Sequence, residues 1–284
     1  MEAESVEALE IRLLLEAIQA RYGYDLREYA PDSMRRRVQA CLAKSGLPHI
    51  GELQHRVLEQ PAFFARVLND LTVRVSDLFR NPELYRVFRT RVVPILRSYP
   101  LLRIWLAGCA TGEEAYSCAI MLSEENLYER TQIYATDLSP QAIEQAKQGV
   151  YRAERLPNFK ANYALSGGTE DFGRYCTVAY DRLAMADQLR RNLLFFQHDL
   201  VVDQVFGEMH VIFCRNVLIY FGAELRERVI RKFEQSLCAS GFLCLGDSEQ
   251  LTRAQRGRGF AEFAAAERLY RWHAPVARSC DERS

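Results

Sequence analysis

An α/β fold is what this sequence predicts: a mostly parallel sheet with helices on both faces, preceded by an all-helical N-terminal domain and interrupted by a small antiparallel β insertion. Three observations lead there. Residues 102–121, LRIWLAGCATGEEAYSCAIM, read as a buried strand, a tight small-residue turn and a helix. Residues 5–98 carry apolar stripes at helical spacing, separated by helix stops. Beyond residue 101 short apolar runs alternate with helical patterns, the rhythm of a parallel sheet.

Taken in order, Val6, Leu9, Ile11, Leu13, Leu14, Ile18 and Tyr22 form one helical stripe that ends near Gly23. Asp32 or Ser33 is placed to cap a second helix, with Met34, Val38, Cys41 and Leu42 on one face. Gly46, Leu47 and Pro48 stop it. Further helices are expected at 51–59, 61–71 and 82–97, the last opening on Asn81 as cap and Pro82 at the first helical position. The strand at 103–106 leads into Gly108, Ala110 and Gly112, which permit close backbone approach, and Glu113 and Glu114 open the following helix. A strand at 132–136, a helix at 139–149, a fully apolar strand at 210–214, a helix at 225–239 and a strand at 241–245 continue the pattern. Residues 151–194 break it, with Gly167, Gly168 and Gly173 punctuating short runs such as 175–179, and a small strand-containing insertion is expected there. The expected organisation is therefore a helical domain at 1–98, an α/β domain at 99–274 with that insertion, and a disordered polar tail at 275–284.

Lys and Arg number 37 and Asp and Glu 37, so a broad field attracting nucleic acid or an anionic membrane is excluded, although local patches remain. Eight cysteines include no CxxC pair, and several sit inside apolar runs, which argues for reduced thiols and against a structural zinc. Glu2, Glu4 and Glu7 stand where a signal peptide needs positive charge, and no apolar run reaches the roughly 20 residues of a membrane span. A cytoplasmic protein without metal is the expectation.

The first strand-to-helix turn of a doubly wound sheet is where a nucleotide-like ligand sits. Glu113 and Glu114 at that mouth repel phosphate and suit a cationic or hydroxyl-rich ligand such as S-adenosylmethionine. A dehydrogenase of the dinucleotide-binding kind requires a Gly-x-Gly-x-x-Gly spacing that Gly108, Ala110 and Gly112 do not supply. Asp137, at the end of the second strand, either accepts both ribose hydroxyls or caps the helix that follows; the ribose reading is preferred. Arg35, Arg36 and Arg37 on the second helix are either a solvated face or a docking site for an acidic macromolecule.

Four motifs give the chain a resemblance to a known family. They are LTVRVSDLFRN at 71–81, GCATGEEAYS at 108–117, ATDLS at 135–139 and IFCRNVLIYF at 212–221, the last followed by GDSE at 246–249. The chain resembles the chemoreceptor methyltransferases of the CheR type over residues 8–273. The resemblance implies a Rossmann-like, S-adenosylmethionine-dependent methyltransferase domain that esterifies glutamates of receptor signalling helices, leaving S-adenosylhomocysteine. It places Arg74, Ser76, Arg80, Gly108, Gly112, Asp137, Asn216 and Val217 around the cofactor, with one of Glu113 and Glu114 touching its amino-acid or sulfonium side. Asp199 and Leu200 would flank the adenine where the family has an Asn-Leu pair, and His198 beside them is expected to be a bystander. Arg80 and Tyr220 would face the transferable methyl group and are the catalytic candidates; a surface salt bridge and core packing are their plainer alternatives. The insertion resembles a small β-subdomain that in some members grips the tail peptide of a receptor. A degenerate adaptor and a small-molecule methyltransferase are the rival functional readings.

Overall fold

The computed structural model describes residues 5–72, 76–205 and 207–274. Arg74 and the expected tail at 275–284 lie outside the described residues.

Helix α1 (Val6–Tyr22) opens on Ser5, whose side chain accepts from the Ala8 amide, and closes on Gly23 at φ 82°. Helices α2 (Pro31–Ser45), α4 (Pro61–Leu71) and α5 (Pro82–Val87) each begin with proline, which has no amide hydrogen to leave unsatisfied there. Neither Asp32 nor Ser33 caps α2, because both already lie inside it; Ala30 is the cap position. Asn81 is in the left-handed region and makes no cap bond to α5, since its side chain is engaged by Arg215 and Asp247. From α5 the chain continues through a wider turn at Phe88–Val92 into α6 (Val93–Leu96), and Pro94 falls just beyond that turn. Together with α3 (Ile50–Glu59), α1, α2 and α4 enclose a core of Leu14, Ile18, Val38, Leu53, Val57 and Leu71.

The main sheet has seven strands: β1 (Leu102–Ala107), β2 (Thr131–Asp137), β6 (Leu193–Gln197), β7 (Met209–Cys214), β8 (Leu237–Leu245), β9 (Phe260–Ala264) and β10 (Leu269–Trp272). Their order is β6-β2-β1-β7-β8-β10-β9. The first five are parallel, and β10 and β9 close the edge antiparallel. Alternation along β1 sends Ile104 and Leu106 to one core and Trp105 and Ala107 to the other. Helix α7 (Glu113–Glu124) fills the first core and α10 (Ala223–Ser236) the second. Helix α8 (Pro140–Gln148) follows β2, and the short α11 (Arg253–Gly257) precedes β9.

Three boundaries differ from expectation. Leu84, Tyr85, Phe88, Val92 and Leu96 of α5 and α6 pack in the core of the sheet, not with α1–α4. The helical core therefore stops at Leu71, well before residue 98. Helix α10 ends at Ser236, because Leu237 and the residues after it join the ladder as β8. The insertion comprises β3 (Val150–Arg152), α9 (Leu156–Leu165), β4 (Cys176–Ala179) and β5 (Arg182–Met185), with an antiparallel order β3-β5-β4. Its expected last residues, 193 and 194, belong to β6 in the main sheet.

Candidate active site

The sheet changes direction of progression between β1 and β7, and the carboxyl ends of β1, β2, β6 and β7 open there into one cleft of about 310 Å³. Ser76, Arg80, Gly108, Glu114, Asp137, Asp199, Leu200, Asn216, Val217 and Tyr220 all line it. Gly112 and Glu113 do not.

The turn after β1 is built on backbone that side chains rarely tolerate. Gly108 and Gly112 have φ of 92° and 93°, and Ala110 has 47°. A Cβ on Gly108 would stand 2.4 Å from Val217 Cγ2, so glycine lets β1 and the β7 loop meet at the cleft floor. A Cβ on Gly112 would stand 2.8 Å from Ala146 Cβ, so this glycine serves the packing of α7 against α8 and does not line the cleft where it was expected. Asp137 braces the same turn: its carboxylate accepts from the amides of Ala110 and Ser139, both at 2.9 Å. The cap of α8 is Ser139, which accepts from the Ala142 amide, so the capping alternative for Asp137 falls away.

The two adjacent glutamates part company. Glu113 is almost fully buried, accepts from Thr111 Oγ1 at 2.6 Å and pairs with Arg155 at 2.6 Å, away from the cleft. Glu114 faces the cleft and pairs with the buried Arg215 at 2.7 Å. Arg215 also donates to the Arg80 carbonyl at 2.9 Å and to Asn81 Oδ1 at 2.7 Å. Burial opposes its charge most strongly, but Glu114, through charge and hydrogen bond, together with Tyr85 outweighs the burial and raises its pKa. Arg215 was not among the expected site residues. A charged residue just past the fully apolar β7 was the available signal, since such a group is buried only with a partner.

Asn216, at φ 60°, sits where β7 gives way to the turn that carries Tyr220. The buried Glu249 fixes this turn, accepting from the amides of Gly246 at 2.6 Å, Asn216 at 2.8 Å and Ile219 at 3.2 Å. Glu249 was also missed as a site residue, although its motif was seen. Asp199 is held by two bonds of 2.7 Å: its Oδ1 accepts from the Val201 amide, and its own amide donates to Asp203 Oδ2. Burial raises its pKa, the Val201 bond works against this and Asp203 adds to it. His198, expected to be a bystander, lines the cleft as well, with its ring edge-on to Trp105 at 5.5 Å.

The basic triplet is split by the geometry of α2. Arg35 and Arg36 are exposed, Arg35 paired with Glu7 at 2.9 Å and Arg36 bonded to the Asp32 carbonyl at 3.2 Å. Arg37 points inward, which corrects its place on an exposed docking face: it is buried, donates to the Leu71 carbonyl and lies 4.1 Å over the Tyr220 ring. Burial raises the Tyr220 pKa, while the charges of Arg37 and Arg80 pull it back. The cleft thus holds the carboxylates of Asp137 and Asp199 and, around Tyr220, the cations Arg37 and Arg80.

A carboxylate-bearing cleft at the switch point of this sheet is where an open α/β fold takes a nucleotide-like ligand. Residues 74–264 match the CheR methyltransferase, SAM binding domain, and residues 9–72 the CheR methyltransferase, all-alpha domain. The chain belongs to the CheR methyltransferase family and is an S-adenosylmethionine-dependent methyltransferase. The division between these two matches falls where the helical core ends. The chain is 43% identical to Cher3 of Pseudomonas putida, over 95% of this chain and 99% of that one. It is 32% identical to a chemotaxis protein methyltransferase of Listeria innocua, over 81% and 85%. With the chemotaxis protein methyltransferase of Escherichia coli the identity is 28%, over 86% and 85%.

The residues present fit this cofactor. Asp137 offers a carboxylate to ribose hydroxyls, Leu138 and Leu200 offer apolar surface to a base, and Glu114 offers charge to a cationic amino-acid portion.

Among the described residues no helix is long and apolar enough to cross a membrane.

Proposed function

We propose that this protein transfers the methyl group of S-adenosylmethionine to glutamate side chains of cytoplasmic chemoreceptor signalling helices, acting in the cytoplasm. The observation that carries this reading is the pair of cations, Arg37 and Arg80, gathered around Tyr220 in the same cleft as Asp137 and Asp199. The relatives named as chemotaxis protein methyltransferases support the receptor as substrate.

When bound, the cofactor supplies a methyl group made electrophilic by its sulfonium. A glutamate has an ordinary pKa of about 4.3, so the acceptor arrives already ionised. Transfer to one carboxylate oxygen would leave the carbon–sulfur electron pair on a neutral thioether, so the acceptor would need no activation by the protein. No proton moves, and no general base is required. What the chain contributes is alignment and exclusion of water, which supply up to roughly 7–11 kcal/mol in favourable cases. Arg80 and Tyr220 hold the oxygen that does not react, leaving the other unblunted. The raised pKa of Tyr220 keeps its phenol a donor at neutral pH.

In this reading Asp137 and Ser76 hold the nucleoside, Asp199 and Leu200 flank the adenine, Gly108, Asn216 and Val217 form the floor, and Glu114 takes the amino-acid end. The test is Arg80→Ala, assayed at saturating cofactor so that weakened binding does not obscure the chemistry. Methyl transfer is expected to fall about a hundredfold. Near-normal turnover would remove Arg80 from this role.

A further inference from the structure

We propose that Tyr29, supplied by the helical domain, is a further cofactor-contacting residue that roofs the nucleoside end of the cleft and ties cofactor binding to the placement of Tyr220. This rests on reading the cleft as the cofactor site. Tyr29 lies in the loop between α1 and α2 and lines the cleft together with Asp137, Leu138, His198 and Asp199. It packs against both the helical core and the α10 side of the sheet. Its ring meets Phe221 edge-on at 5.1 Å. The carboxylates of Asp199 and Asp137 act on its phenol, and so does the guanidinium of Arg37, so the ring stands between these groups in the cleft.

The backbone around Tyr29 is bonded to the catalytic turn. The Ala30 amide donates to the Tyr220 carbonyl at 2.8 Å, and the Gly222 amide donates to the Glu28 carbonyl at 2.9 Å. Tyr29 and Phe221 thereby form a single antiparallel bridge. Glu28 and Arg228 of α10 reinforce it with two bonds of 2.6 and 2.7 Å. A Cβ on Gly222 would sit 2.9 Å from the Glu28 carbonyl, so the approach needs glycine. An aromatic ring over a purine contributes through stacking, which every base permits. A ligand that engages this ring also settles the bridge, and the bridge carries the Tyr220 carbonyl. The helical domain is then part of the cofactor site as well as a platform for the substrate.

The experiment is calorimetric titration of S-adenosylhomocysteine and of methylthioadenosine into the wild type, Tyr29→Phe and Tyr29→Leu, with the melting midpoint of each. Phe is expected to bind within about threefold of wild type, and Leu roughly tenfold or more weakly toward both ligands. Equal affinity of Leu and wild type overturns the proposal, as does a loss seen with S-adenosylhomocysteine and absent with methylthioadenosine. If Tyr29→Leu does not fold, amide exchange in the wild type decides: saturating S-adenosylhomocysteine is expected to slow exchange at Ala30 and Gly222, and unchanged exchange at both refutes the coupling. A wild type that binds neither ligand would instead overturn the cofactor cleft itself.

Discussion

Asp199 shows how a side chain gives up stability for a site. Burial raises its pKa, so the folded state holds its proton more tightly than the unfolded chain does. Stability is then greatest below the unfolded carboxylate pKa of about 3.9 and is lost as pH rises through the higher folded value. Asp199→Asn removes this loss while its amide oxygen still accepts from the Val201 amide. The variant is expected to melt higher than wild type at pH 7, with the gap closing as pH falls to the ordinary carboxylate range, and to bind S-adenosylhomocysteine less tightly. Melting curves across that range check the sign. Neighbouring Glu113 and Glu114 make a different point. Both were legible in the sequence as a pair at a helix start, but which one faces the cleft was not. The helix turns consecutive residues about 100° apart, and the partners Arg155 and Arg215, distant in sequence, decide which glutamate is buried where.

At the scale of elements, the strands were read from short apolar runs because a parallel strand buried on both faces has little else in it. The boundaries that slipped have physical causes. Leu237 fits a helix face and a strand equally well, and only its pairing with Met209 settles the matter. Helix α9 went unread although Leu156, Phe159 and Tyr163 share the face that packs on the core, because Ala161, Ala164 and Leu165 spread apolar residues around the rest of it. Arg155, just before α9, joins the insertion to α7 through Glu113 and to the segment before α5 through Asp77. Removing it leaves a nearly buried carboxylate without its cation. Because Arg155 is itself partly exposed, Arg155→Ala is expected to cost about 2 kcal/mol, below the roughly 3–5 kcal/mol of a fully buried pair. That corresponds to about 4–8 °C in melting midpoint, read by calorimetry. Affinity for S-adenosylhomocysteine is expected to fall only modestly: Glu113 does not line the cleft, but Arg155 also donates to the carbonyl of Ser76, which does. A large loss of affinity with an unchanged midpoint would reverse the assignment of the two glutamates.

Across the whole molecule, the helical domain meets the sheet domain on both sides of the cleft. Asn69 of α4 bonds Ser139 and Gln141 on one side, and the Tyr29 bridge holds the other. The sequence showed a helical half and an α/β half, but it could not show that α2 turns Arg37 into the site while leaving Arg35 and Arg36 outside. If the proposed function holds, that distinction separates docking of the substrate from its chemistry. Reversing Arg35 and Arg36 to Glu together is expected to raise the KM for an acidic receptor fragment several-fold at low salt, with the effect shrinking as ionic strength rises. Cofactor affinity is expected to stay unchanged. Arg37→Glu is expected to lower kcat as well, since it removes the cation over the Tyr220 ring.

The central claim is that the acceptor is a carboxylate, and the linkage it forms tests this most directly. The protein is incubated with methyl-labelled S-adenosylmethionine and a receptor signalling fragment, and the labelled product is treated with mild base. A glutamate methyl ester releases its label as volatile methanol, and replacing the acceptor glutamates with alanine abolishes labelling. Label that survives base, or that persists on the fragment without those glutamates, would contradict the account.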